Sequence, residues 1–426
     1  MVIKLHEGYL YKFINALIAF FLFLTANTVY WRNYNFHKKI LCCFIIICLV
    51  AIFYSFMCLS FYKRFSLKYV LFCLGYFVFA FLLFLKNYYD GYSSNLLIVV
   101  YILFPIAIFT WIYLQFCIGG GNDLLLVFKN IVIFFALLSL FIYFLVFFFH
   151  ISPSFFLTIG WGSQRNVPGY MGLFFNTQNT VSFLGLTLLR NSGIFTEAPM
   201  HSFVLTLALL IVLFIEKPTK IKKTIFFEIL ILAITLVTTT STTGLFICIL
   251  AFYFYFYHHL SHYLRLILGL LLPVVIIVLI NLLISKYQTG YGSFSVRLDD
   301  MKAGYDAWIN HPFLGNGWTN ERAIQQYMLG SRLFFYGNSG LSSGFFASLA
   351  LTGGIQTIIL FALPYVLYSF KRKKYAFPIL LFILLINTIV NSTFIMITIS
   401  MYMYASFFFD NGANTIPIEM NKHQLI

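Results

Sequence analysis

Runs of about 17 to 25 apolar residues recur along this chain, each long enough to cross the hydrocarbon core of a bilayer as a helix. They begin near Phe13, Ile40, Tyr69, Leu96, Ile131, Met200, Thr224, Gly244, Leu266, Phe345, Tyr375 and Thr393. In lipid a chain has no water to satisfy its backbone groups, so each run must close its own hydrogen bonds. The pattern predicts an all-α, polytopic integral membrane protein of about twelve transmembrane helices. Composition agrees: 61% of the 426 residues are hydrophobic and 9% are charged, where soluble domains carry about 25% charged residues. Disordered, collagen-like, coiled-coil and disulfide-scaffold classes are excluded on the same grounds.

The net charge of +15 points to topology, not to a nucleic acid, because the 27 Lys and Arg lie almost entirely between apolar runs. With the amino terminus in the cytoplasm, the inside collects Lys63, Arg64 and Lys68, then Lys217, Lys220, Lys222 and Lys223, then Lys371 to Lys374. Short outside turns keep Arg32, Lys38, Lys39 and Lys86, as the positive-inside rule requires. An even helix count then leaves both termini cytoplasmic. The first run follows Lys4 and Lys12 and ends without a small-residue cleavage site, so it is expected to remain as a helix. The 7 Cys sit in apolar segments without a CxxC pair and read as small hydrophobes.

The chain divides into five parts: N-terminal helices over 1–149, a polar segment over 150–199, central helices over 200–284, a second polar segment over 285–343, and C-terminal helices with a tail over 344–426. Both polar segments are expected as large loops on the outer face. Structureless connections of that length are uncommon in a compact protein unless they are functional.

The first polar segment ends in Arg190-Asn-Ser-Gly-Ile-Phe-Thr-Glu197-Ala-Pro199-Met-His201, directly before an apolar run. Charged groups at the membrane surface are costly unless paired or holding a polar ligand. An Arg190–Glu197 ion pair with Pro199 starting a helix accounts for them equally well. In the second segment Arg297 to Trp308 has the spacing of an amphipathic helix lying on the membrane, followed by a turn at His311-Pro-Phe-Leu-Gly315-Asn-Gly317. Asp299 and Asp300 read as a solvated helix face, and no metal site is expected. Small residues from Gly337 through Asn338 to Gly344 lead into the next run, where a backbone can approach an anion. Thr238 to Gly244 is either a tight turn or an interruption in one long run.

Together these segments resemble the O-antigen polymerase and O-antigen ligase family, the Wzy-type and related bacterial membrane glycosyltransferases. Arg190-x-x-Gly193-x-Phe195-x-Glu197-x-Pro199 is similar to that family's motif at the end of an outer loop. Thr238 to Gly244 is similar to its Thr/Ser-rich turn. Arg297 with His311-Pro312 and Gly315-x-Gly317 is similar to its outer-loop helix and the turn after it. The ligase branch has an Arg where this chain has Thr242, and a His where it reads Gly337-Asn-Ser-Gly340, so the resemblance favours the polymerase branch.

The resemblance implies a GT-C-like fold in the bacterial inner membrane, with undecaprenyl-diphosphate-linked repeat units as donor and acceptor. It also implies a chain-length regulator and a flippase as pathway partners, and no cofactor. In this reading Arg190 and Arg297 serve the two diphosphates, since Arg binds phosphate oxygens bidentately. Arg165, Arg322 and Arg332 stand in reserve, and Asn338 contributes to substrate binding. Glu197 is the candidate general base, with His201 and His311 behind it, because a carboxylate at a partly dry interface can be tuned toward working pH. An O-antigen ligase, a lipid-linked-sugar flippase and a scaffold subunit of an export complex are the competing readings.

Overall fold

The structure is a computed structural model and describes residues 8–61, 65–161, 163–178, 180–183, 186–216, 223–259, 263, 265, 293–336 and 340–409. The expected span near Leu266 and residue Asn338 lie outside the described residues.

The described residues are mostly helical with little sheet. It opens with α1 (Tyr9–Leu24), the single turn α2 (Val29–Arg32), α3 (Tyr34–Phe61), α4 (Leu67–Tyr89), α5 (Asn95–Cys117) and α6 (Asp123–Phe149). Five short strands follow: β1 (Phe155–Trp161), β2 (Ser163–Tyr170), β3 (Phe174–Phe175), β4 (Val181–Phe183) and β5 (Leu186–Leu188). Next come α7 (Ala198–Glu216), α8 (Lys223–Thr239), α9 (Thr242–His259) and α10 (Ser293–Asn310). The short α11 (Arg322–Gln325) and α12 (Gly330–Tyr336) precede α13 (Gly344–Arg372), α14 (Ala376–Asn387) and α15 (Phe394–Phe408).

Six of these, α3 to α7 and α13, are long and apolar enough to cross a membrane. Every expected run start among the described residues falls on a helix or just before one. The helices differ in what they face. Only 17% of the apolar window of α3 is buried inside the protein, against 89% for α7. An all-apolar surface open on one side suits lipid, whereas α7 is the central rod, packed against α6, α8 and α9.

The first polar segment is not an irregular loop. Its β1–β2 hairpin pairs Ile159 with Arg165 and Trp161 with Ser163, and β3 continues the antiparallel sheet. Alternation follows: Ile159 and Val167 are buried, while Thr158, Gly160, Gln164 and Asn166 are exposed. Trp161 and Arg165 therefore lie on the inner face.

The second polar segment does contain the expected helix, but α10 packs against α13. Its buried face is Asp299, Asp300, Ala303, Gly304 and Ala307. Gly304 is tight against the Phe346 backbone, where a Cβ would stand 3.1 Å from its carbonyl oxygen. Asp299 and Asp300 are therefore not a solvated face.

Candidate functional site

The loop from Asn191 to Thr196 is buried without a break and is held from every side. Asn191 donates its backbone N–H to Thr238 O and its amide to Thr238 Oγ1, both at 3.0 Å. Ser192 Oγ donates to Phe175 O at 2.6 Å, and Phe175 N–H returns a bond to Gly193 O. On the far side the α1–α2 turn is sewn to the same loop, with Val29 N–H on Ile194 O at 2.8 Å and Thr196 N–H on Asn27 O at 3.1 Å.

His201, the fourth residue of α7, supports the loop from beneath. Its ring stacks on Phe195 with centroids 5.2 Å apart, and its Nδ1 lies 3.1 Å from Asn191 O. Gly193 has φ +53°, and a Cβ there would stand 3.0 Å from the imidazole. The ring thus fills the space that makes glycine necessary. This places His201 as a buried support of the loop.

Glu197 is the N-cap of α7, but its carboxylate makes no capping bond. Gln178 Oε1 accepts the Ala198 N–H at 3.0 Å instead. The half-buried carboxylate turns to Trp161, whose indole N–H donates to Oε1 at 2.5 Å. It remains at the positive end of the most buried spanning helix, where a negative charge is favoured.

Thr238 to Gly244 is a tight turn. It ends α8 and starts α9 with Thr240 in the left-handed region at φ +52°, a conformation that costs a non-glycine residue about 1 to 3 kcal/mol. Two arginines from different segments meet this turn. Arg190 Nε donates to Thr239 O at 3.3 Å and Thr240 Oγ1 at 3.1 Å, and Arg297 Nη1 donates to Thr243 Oγ1 at 2.9 Å. No ion pair joins either arginine to Glu197 among the described residues, but the three charges act on one another. Burial pulls Arg190 below the usual guanidinium value; Glu197 opposes the shift and Arg297 adds to it. Burial lowers Arg297 as well, against Asp300 and Glu197. Both Nη groups of Arg190 and the Nη2 of Arg297 make no bond to the protein among the described residues, so donors are left for an anion.

The other candidates divide. Arg165 donates Nη2 to Thr196 O at 3.0 Å and so borders the site. Arg332 is buried, giving Nη1 to Asp300 Oδ1 at 2.6 Å and Asp299 Oδ2 at 3.1 Å, and Nη2 to Gly340 O at 2.6 Å. Its charge is already neutralised. Arg322 is exposed at the start of α11. His311 is exposed and lines a separate cleft of about 540 Å³ with Lys86, Asp90, Tyr92 and Asn320.

One residue at the site escaped the sequence reading. Arg32 lies 4.7 Å over the Trp161 ring and grips Asn27 Oδ1 with Nε and Nη2 at 3.1 and 2.7 Å. In the sequence it is one more basic residue in a short turn, and nothing local marks it.

No protein-family model matches this chain, and no curated protein matches it.

Proposed function

We propose that this chain is a polysaccharide polymerase of the bacterial inner membrane. It joins undecaprenyl-diphosphate-linked repeat units at the outer face, with about twelve spans and both termini in the cytoplasm. The observation that carries the reading is the meeting of Arg190 and Arg297 on the Thr238–Gly244 turn, beside the carboxylate of Glu197. Two guanidinium groups with spare donors suit one diphosphate, whose charge grows as the glycosidic bond breaks. Because both share a turn, the pair is assigned here to the leaving group of the donor.

In the proposed step the acceptor hydroxyl oxygen bonds to the anomeric carbon of the donor chain. The bond from that carbon to the diphosphate oxygen breaks, and its electron pair leaves with the diphosphate. The hydroxyl proton passes to Glu197, which Trp161 holds by one oxygen and whose other oxygen has no hydrogen bond among the described residues. The aromatic and amide groups of the outer segments suit sugar rings. A chain-length regulator and a flippase are the partners this reading implies.

Deletion of the gene in its host, complemented by the natural and Arg190→Ala forms, tests it on a gel of surface glycan. The expected deletion phenotype is a single repeat unit in place of a ladder, restored by the natural form only. Loss of all repeats from the surface would instead favour a flippase or ligase.

A further inference from the structure

A polymerase of this kind holds two lipid-linked chains, and the pair at the threonine turn serves one of them. A second pair of arginines borders Glu197 through Trp161, which donates to its carboxylate, and through the neighbouring Thr196. On the inner face of the β1–β2 hairpin, Trp161 and Arg165 are diagonal neighbours, because the Ile159–Arg165 and Trp161–Ser163 pairs put their side chains on one side. Arg32 covers the ring of Trp161 at 4.7 Å. Asn27 and Thr196 then join the two guanidinium groups: Arg32 holds Asn27 Oδ1, Asn27 O accepts the Thr196 hydroxyl and N–H, and Thr196 O accepts Arg165 Nη2.

Neither cation is neutralised by an ion pair among the described residues. Among the described residues Arg165 Nη1 makes no hydrogen bond and its Nε is buried without a partner, which costs free energy until an acceptor arrives. Arg32 Nη1 makes no hydrogen bond among the described residues. Burial lowers Arg32 to about 10, with only the charge of Glu321 opposing. Both side chains are half-buried, so a headgroup can reach them.

We propose that Arg32 and Arg165 form a second anion subsite, for the diphosphate of another polyprenyl-linked chain, distinct from the pair Arg190 and Arg297. This rests on the polymerase reading above. The Glu197 carboxylate is then bonded to Trp161 of this subsite and within electrostatic reach of Arg190 and Arg297.

The test is a calorimetric titration of the full chain in phosphatidylcholine nanodiscs with farnesyl diphosphate. The natural chain is expected to take up about two equivalents, Arg32→Gln with Arg165→Gln about one, and Arg190→Gln with Arg297→Gln about one. If the first double variant does not fold, Arg165→Gln alone is titrated; the second equivalent is then expected to bind about 10- to 100-fold more weakly. Two undiminished equivalents in either Arg165 variant overturn the subsite. A single equivalent in the natural chain, lost with Arg190 and Arg297, overturns it and leaves the polymerase reading standing. No binding to the natural chain overturns both. Loss of the second equivalent when phosphatidylglycerol replaces phosphatidylcholine reassigns the subsite to bulk anionic lipid and also overturns the proposal.

Discussion

The indole N–H of Trp161 meets the carboxylate of Glu197 at 2.5 Å, tying the tip of a hairpin to the first turn of the most buried spanning helix. The bond occupies one oxygen of a carboxylate whose charge is felt by both arginines at the threonine turn. Glu197→Gln keeps an acceptor for the indole and the shape of the side chain, but it cannot take a proton. If the chain is the proposed polymerase, the expected effect on the purified chain is a loss of about 10²- to 10⁴-fold in turnover of lipid-linked repeats, the usual contribution of a general base, with an unchanged melting temperature. Turnover near the natural rate would remove Glu197 from the chemistry.

Arg332 shows the opposite use of an arginine. It sits between Asp299 and Asp300, and Asp300 also accepts Ser342 N–H at 2.8 Å and its hydroxyl at 2.5 Å. Removing one partner of a buried ion pair costs about 3 to 5 kcal/mol, because the other charge stays buried and unpaired. Arg332→Ala is expected to lower stability by that order, whereas Arg322→Ala, at an exposed position, leaves it within about 0.5 kcal/mol. The deficit depends on pH. Burial holds Asp300 above its usual 3.8, against the pull of Ser342 and Arg332. A carboxyl whose folded value is raised binds protons more readily in the folded state, so stability rises as pH falls through that value. Without Arg332 the shift grows, and the deficit is expected to narrow in melting curves taken from neutral to mildly acidic pH. A deficit that widens on acidification would contradict this account.

Much of this arrangement is legible in the sequence, and the unread part has a common cause. Hydropathy marks the helices because each run must satisfy its own backbone. The loop from Arg190 to Pro199 stands out because charges next to an apolar run are costly. The hairpin was also readable in principle: Leu157, Ile159 and Trp161 alternate with exposed residues, a period-2 signal inside a segment expected as loop. The meeting of Arg32 with Trp161, and of Arg332 with Asp299 and Asp300, depends on folding distant segments together. No spacing rule reaches that far, so Arg32 read as topology and Arg332 as a reserve ligand.

Where α9 begins, Gly244 lies against α7 so closely that a Cβ would stand 1.9 Å from Ser202 Oγ. That hydroxyl is buried and has no hydrogen-bond partner among the described residues. Gly244→Ala is therefore expected to push the threonine turn away from Arg190, costing about 1 to 3 kcal/mol for overpacking and reducing turnover. Ser202→Ala removes the obstructing oxygen and relieves an unpaired polar group, so it is expected to be neutral or stabilising alone. The double variant is expected to recover part of the Gly244→Ala loss, a coupling that a double-mutant cycle on melting curves reads directly. Additive effects would show that the close approach does not matter.

The last test concerns how the second polar segment is anchored. The turn after α10 lies on a kink in α13, where Gly353 has φ +82° and ψ +166°, a region essentially reserved for glycine. A Cβ at Gly353 would stand 2.3 Å from Phe313 O, and one at Gly315 would stand 2.4 Å from Gly353 N. Both obstacles are backbone, so no side chain can give way. The kink also frees backbone for the turn: Asn316 N–H bonds Ala350 O at 2.9 Å, and Gly354 N–H bonds Pro312 O at 2.8 Å. Gly353→Ala is expected to cost at least about 3 kcal/mol, from backbone strain and overpacking together. Because α10 carries Arg297, it should also weaken diphosphate binding at the threonine turn. Gly75→Ala in α4 meets nothing within 4 Å and is expected to be neutral or to stabilise by up to about 1 kcal/mol through helix propensity. Equal melting temperatures for the two variants would mean that the turn and the kink are not locked together.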